Sequence, residues 1–160
     1  MAITVDGKIA KNEKHFPDWT SSEDKKYFYR MSKECGVVIM GEKTFDTFSK
    51  PLKERLSVVF TINPDRPLQQ NVKWVTGEPK PVVEEIEKMG FKSAILGGGA
   101  GINTLFLKNK LIDEIILTME PKIFGAGLSL FNEDFEVNLE LLNMEKLNGN
   151  SIALRYKVNY

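Results

Sequence analysis

The chain has 160 residues, enough for one domain with a real core, and its 42% apolar and 28% charged residues are the make-up of an ordinary globular protein. Its 22 Lys and Arg balance its 22 Asp and Glu, so no basic excess points to nucleic acid or to an anionic membrane surface. A lone cysteine, Cys35, and a lone histidine, His15, exclude a disulfide framework and a multi-cysteine metal site; with no apolar run near the roughly 20 residues of a membrane span and no secretory leader, a cytoplasmic protein without a metal is expected.

Apolar periodicity predicts a first helix over 22–34. Positions 24, 28, 31 and 35 follow the i, i+4, i+7, i+11 rule, so Asp24 shares a face with Phe28, Met31 and Cys35, and that face is expected to turn inward. A β-branched run at 37–40 predicts a buried strand, followed by a short helix over 42–48 and a second strand over 57–61. A helix over 81–89 has Pro81 in its first turn and Gly90 as its C-terminal cap. A strand at 94–96, a helix over 99–108 and a strand at 114–118 come next. Continuous apolar runs of this kind suit strands covered on both faces. Beyond Ile112 the pattern is strands only, with 137–145 and 151–158 forming an antiparallel hairpin around Asn148, Gly149 and Asn150. The sum is a single α/β domain over 1–160, with a mostly parallel central sheet, antiparallel C-terminal strands and flanking helices.

Three places could carry chemistry. In Ala94-Ile-Leu-Gly-Gly-Gly-Ala-Gly-Ile102 a strand runs into glycines and then a helix, which lets backbone approach a phosphate at a helix N-terminus. The spacing is neither the Rossmann fingerprint nor a P-loop, and an ordinary tight turn explains the glycines equally well. Met40-Gly-Glu-Lys-Thr-Phe45 repeats the strand, glycine, helix order, and two such turns at the carboxyl ends of parallel strands mark the ligand edge of an open α/β sheet. Asp24 would put a carboxylate in an otherwise apolar wall, where it needs a partner that a ligand could supply. The competing explanation is a capping-box variant, Ser21-x-x-Asp24. By residue type alone, Arg55 is a solvated loop residue, Trp19, Phe28 and Phe48 are core aromatics, His15 is an exposed loop residue, and Cys35 is inert packing.

Taken in order, the motifs resemble the dihydrofolate reductase superfamily, which includes the reductase domain of the riboflavin-biosynthesis deaminase-reductase. The resemblance rests on Ala2-Ile-Thr-Val-Asp-Gly-Lys-Ile-Ala10, Trp19-Thr-Ser-Ser-Glu-Asp24, Val38-Ile-Met-Gly-Glu-Lys-Thr-Phe45, Pro51-Leu-Lys-Glu-Arg55, Ile95-Leu-Gly-Gly-Gly99 and Ile116-Leu-Thr118. The opening segment, and residues 121–131 with Gly125 and Gly127, resemble the riboflavin branch; Thr47-Phe-Ser-Lys-Pro-Leu52 and Pro51-Leu-Lys-Glu-Arg55 resemble folate reductases.

The resemblance implies hydride transfer from NADPH to dihydrofolate, giving tetrahydrofolate for one-carbon metabolism. Asp24 would be the pocket carboxylate, supported by Thr118. Ala2, Phe28, Phe48 and Leu52 would line the substrate, and Arg55 would take a carboxylate of its glutamate tail through a bidentate pair. Gly41, Lys43, Thr44, Gly98, Gly99, Ala100 and Gly101 would hold the dinucleotide's phosphates, with Thr61, Leu96 and Ile102 also on the cofactor. Ile9 and Ala10 would lie near the nicotinamide, and Trp19 would border the site. A cis peptide is expected between Gly97 and Gly98. Four positions depart from the folate pattern: Glu42 replaces a base, Lys25 an apolar pocket residue, Ala100 a frequent Arg and Ile102 a frequent aromatic. The alternatives are a riboflavin-pathway reductase acting on a ribosylamino-pyrimidine phosphate, and a pterin- or nucleotide-binding protein without turnover. In each case the partner is a small molecule, with no nucleic acid or membrane, and the protein is a monomer or homodimer.

Overall fold

In a computed structural model of the chain, residues 1–48, 50–63 and 65–160 are described; Ser49, within the folate-like 47–52 segment, lies outside them. Strands β1 (Ala2–Thr4) and β2 (Lys8–Ala10) open the chain. Helix α1 (Ser22–Cys35) follows, then β3 (Val37–Gly41), α2 (Glu42–Phe45), β4 (Leu56–Phe60), β5 (Val72–Val75), α3 (Pro79–Lys88), β6 (Ile95–Leu96) and α4 (Ala100–Lys108). Strands β7 (Glu114–Glu120), β8 (Leu128–Ser129), β9 (Asn138–Lys146) and β10 (Ile152–Asn159) complete it.

The parallel part is a four-stranded sheet ordered β5-β4-β3-β6. The C-terminal part is ordered β1-β7-β10-β9, with β1 parallel to β7 and the remaining pairs antiparallel. A two-stranded β2-β8 ribbon links the opening segment to the loop after β7. The expected α/β architecture is therefore the observed one.

Strand periodicity explains why β3 is apolar without interruption and β4 nearly so, with Ser57 its one polar residue. Successive side chains point to opposite faces. Val37 and Ile39 of β3, with Val58 and Phe60 of β4, enter one core together with Val82, Ile86 and Phe106 from α3 and α4. Val38, Met40 and Val59 enter a second core with Phe45. Both faces are covered, and the one polar side chain of these two strands, Ser57, is fully buried with its hydroxyl unpartnered among the described residues. Phe28, Phe48 and Leu52 pack at the margin of this second core, half-buried.

The boundaries differ from expectation in instructive places. Helix α2 ends at Phe45, and the chain turns on through bonds from Thr47 N–H to Thr44 O and from Phe48 N–H to Phe45 O. Helix α3 starts two residues early, with Pro79 rather than Pro81 in the position that tolerates a missing N–H, and Gly90 follows its C-cap at φ 94°. Strand β5 was not legible, because Val72-Lys-Trp-Val75 is short and half-buried, with a lysine inside it. The cis peptide lies one residue later than expected, between Gly98 and Gly99. Among the described residues, no helix is long and apolar enough to cross a membrane.

Candidate functional site

The parallel strands end together. Gly41 closes β3 and sits in register with Phe60 of β4, and Gly41 N–H donates to Gly98 O at 2.8 Å. The two glycine turns singled out in the sequence are thus joined directly. Here the chain order reverses, since β4 follows β3 on one side and β6 arrives on the other, and such a switch point is where open α/β sheets bind ligands. Gly98 has φ 86°, and a Cβ on it would come within 3.0 Å of the Met1 side chain. A Cβ on Gly99 would lie 3.4 Å from Thr44 Oγ1, and one on Gly41 would lie 3.0 Å from Ile102. Gly99 is the N-cap of α4 and supplies no side-chain bond, and among the described residues the first N–H groups of Ala100, Gly101 and Ile102 are left for an anion. Leu96 pairs with Ile39 just below.

Helix α1 brings Asp24 to the other side of this edge. Asp24 N–H donates to the Ser21 hydroxyl at 3.2 Å, which caps the helix. A capping box would also need the Asp24 carboxylate to take Ser21 N–H. That N–H goes instead to Glu120 Oε1 at 2.9 Å. The cap therefore leaves the Asp24 carboxylate unused, and among the described residues no side chain donates to it. It feels the buried Met1 ammonium, which burial holds below its ordinary pKa and Asp24 pushes back up. The face carrying Asp24, Phe28, Met31 and Cys35 is half-buried, as a pocket wall would be; only Ser32 on this helix is fully buried. Cys35 Sγ accepts the Ser93 hydroxyl at 3.3 Å.

Arg55 is the largest surprise. Its polar loop suggested a solvated side chain, yet it is only 6% exposed. Nη1 donates to Ser32 Oγ at 2.7 Å, Nε donates to Lys53 O at 2.9 Å, and the guanidinium lies 4.8 Å from the Tyr29 ring. Among the described residues no carboxylate pairs with it; its neighbour Glu54 pairs with Lys33 instead. A buried cation without an anion is costly, and a ligand carboxylate would complete it.

Thr118 is buried in β7 between Ala2 and Ala153. Ile9 and Ala10 lie in β2, where Gly127 presses on Ala10 O so tightly that a Cβ would sit 2.4 Å away. Trp19 meets Phe124 edge-on at 5.0 Å, and His15 meets the same ring at 5.4 Å. Two expected phosphate or cofactor contacts are engaged elsewhere: Lys43 Nζ pairs with Glu13 at 2.8 Å in an exposed bridge, and the Thr61 hydroxyl donates to Glu42.

Sequence reasoning missed two organising acids. The Thr4 hydroxyl at 2.5 Å holds the Asp6 carboxyl below its usual range, helped by Phe124 N–H and Gly125 N–H, so Asp6 clamps the loop after β7 onto the opening turn. Glu120, 2% exposed, takes Ser21 N–H and the Ser21 and Ser151 hydroxyls. Burial pushes its carboxyl up, but these donors together hold it below its ordinary value. A carboxyl lowered in the folded state contributes stability above its unfolded pKa and loses it as pH falls through the folded one. Glu120→Gln should therefore lower the unfolding free energy at neutral pH by about 1–2 kcal/mol. Urea melts of both proteins should converge toward pH 3; a constant gap would contradict this role.

A family model described as the RibD C-terminal domain matches residues 1–153. The uncharacterized protein YwjB of Bacillus subtilis is 26% identical over 165 residues, covering 98% of this chain and 94% of its own. A dihydrofolate reductase of Ureaplasma parvum is 30% identical over 138 residues, covering 86% of this chain and 83% of its own. Acinetobacter baumannii RibD superposes on 100% of the chain at TM-score 0.85 and 20% identity, and the chain spans 57% of it. A dihydrofolate reductase of Enterococcus faecalis complexed with NADP(H) superposes on 99% of the chain and 94% of its own at TM-score 0.74 and 23% identity.

Proposed function

The chain belongs to the RibD C-terminal domain family, in the dihydrofolate reductase superfamily, and on that premise we propose that it reduces dihydrofolate to tetrahydrofolate with a reduced nicotinamide dinucleotide. The observation that carries this is the Asp24 carboxylate, released from the helix cap by Glu120 and set on one wall with Phe28.

The residues at the sheet edge fit the dinucleotide. Gly98 and Gly99 present bare backbone, α4 offers free N–H groups, and Thr44 Oγ1 stands beside them. When bound, the dinucleotide supplies the hydride. The chain's own residues do the rest. Asp24 accepts hydrogen bonds from the pterin's amino group and ring nitrogen and favours its protonated, more electrophilic form. The imine nitrogen takes its proton from water, because no second acid faces the pocket among the residues named. Phe28, Phe48 and Leu52 cover the ring and exclude solvent. Arg55 anchors the glutamate tail.

The second reading, reduction of a ribosylamino-pyrimidine phosphate, is favoured by the Asp6 clamp, which ties together the two segments that resemble the riboflavin branch. A substrate panel separates the two. Dinucleotide oxidation should be saturable with dihydrofolate and slow with the pyrimidine phosphate. The reverse order would establish the second reading, and binding of dinucleotide and pterin without oxidation would leave a non-catalytic binder.

A further inference from the structure

At the exits of β3 and β4 lies a charged cluster that the reaction does not use. Glu42 directly follows Gly41, and Thr61 directly follows Phe60, its register partner. The Thr61 hydroxyl donates to Glu42 Oε2, and Arg66 Nη2 lies 3.4 Å from the same oxygen. Arg66 is committed to Asp46 through two bonds, at 3.1 and 2.6 Å, and its guanidinium stacks 4.9 Å from the Trp74 ring. Among the described residues its Nε is buried without a partner. Asp46, first among its neighbours, keeps this guanidinium firmly protonated. Two carboxylates against one guanidinium leave one net negative charge, and the next cation along, Lys43, is held by Glu13.

The position of this cluster gives it a ligand. A dinucleotide whose pyrophosphate rests at the Gly98–Ala100 turn must send its nicotinamide toward Asp24 to react. Its adenosine half is then left for the neighbouring β3 and β4 exits, within two strand spacings or about 10 Å of the turn. A ribose there meets the Glu42 carboxylate, whose side chain is 24% exposed. A carboxylate accepts hydrogen bonds from a ribose 2′-hydroxyl. It repels a 2′-phosphate, and to neutralise that phosphate Arg66 would have to give up its two bonds to the Asp46 carboxylate.

We infer that Glu42 selects against the 2′-phosphate, so that the chain works with NADH in preference to NADPH. This rests on the reductase proposal, and it departs from the NADPH that the sequence resemblance implied. The acid pair on Arg66 adds to the discrimination, because it engages the one arginine of the cluster.

The test is binding of NADH and NADPH to the purified chain, followed by nucleotide fluorescence, with 5′-AMP and 2′,5′-ADP as competitors that probe the adenosine half alone. NADH should bind at least about tenfold more tightly than NADPH, and 5′-AMP should compete better than 2′,5′-ADP by a similar factor. Glu42→Ser should shift both ratios by about tenfold toward the phosphorylated ligands. Tighter binding of NADPH by the wild type, or ratios unmoved in a Glu42→Ser protein with wild-type circular dichroism, would overturn the assignment and leave the reductase proposal standing. Binding of neither dinucleotide would remove both.

Discussion

Replacing Asp24 with asparagine is expected to cut turnover of dihydrofolate by about 10²-fold or more at neutral pH, the scale of losing a positioned acid–base group. The fold should survive, because the α1 cap uses the Asp24 backbone N–H and not its carboxylate. Thermal unfolding and dinucleotide affinity should therefore stay near wild type. An amide cannot carry the charge that stabilises a protonated pterin. Activity of the variant should accordingly recover in part at low pH, where the substrate protonates in solution. Turnover close to wild type at neutral pH would mean that the carboxylate is only a favourable first-turn charge on the helix.

Arg55 carries the second large effect, and its burial changes how it has to be tested. Removing a charge-assisted contact to the substrate's tail should cost about 1.5–3 kcal/mol, a tenfold to hundredfold rise in KM with a smaller change in kcat. Arg55→Ala also strips a donor from Ser32 Oγ and Lys53 O and vacates space beside Tyr29. Stability will therefore fall whatever the substrate. Arg55→Lys keeps the charge and loses the fork, so its KM should fall between the two. The control is a dihydropterin without the glutamate tail, whose KM should barely respond to either change. Equal losses on both substrates would make Arg55 a structural cation and remove the residue that distinguishes a folate from a pyrimidine phosphate.

The sequence made some of this legible and hid the rest, for physical reasons. The apolar runs at β3 and β4, broken only by Ser57, follow from burial on both faces, and they point to the parallel sheet and its order with the helices. The glycine turns are local, so both could be placed, although the cis bond falls one peptide on. Asp24 could be put on the right face but not separated from a capping role, because that depended on Glu120, 99 residues away from Ser21. The Asp6 clamp, which spans 118 and 119 residues, has the same character. Arg55 looked solvated because a polar loop carries no periodicity; its burial comes from Ser32 and Tyr29 on another element. Glu42 stood out only as an acid in place of a base, and its pairing with Thr61 and Arg66 appears once β3 and β4 lie side by side.

In the proposed reaction, hydride passes directly from the dinucleotide to a dihydropterin held beside Asp24. Reduced dinucleotide deuterated at the transferring nicotinamide carbon, incubated with the purified chain and dihydrofolate, tests it in one measurement. Mass spectrometry of the product should find tetrahydrofolate carrying one deuterium, on the carbon next to the newly protonated nitrogen. Unlabelled tetrahydrofolate, or no tetrahydrofolate while the label passes to a ribosylamino-pyrimidine phosphate supplied in its place, would contradict it.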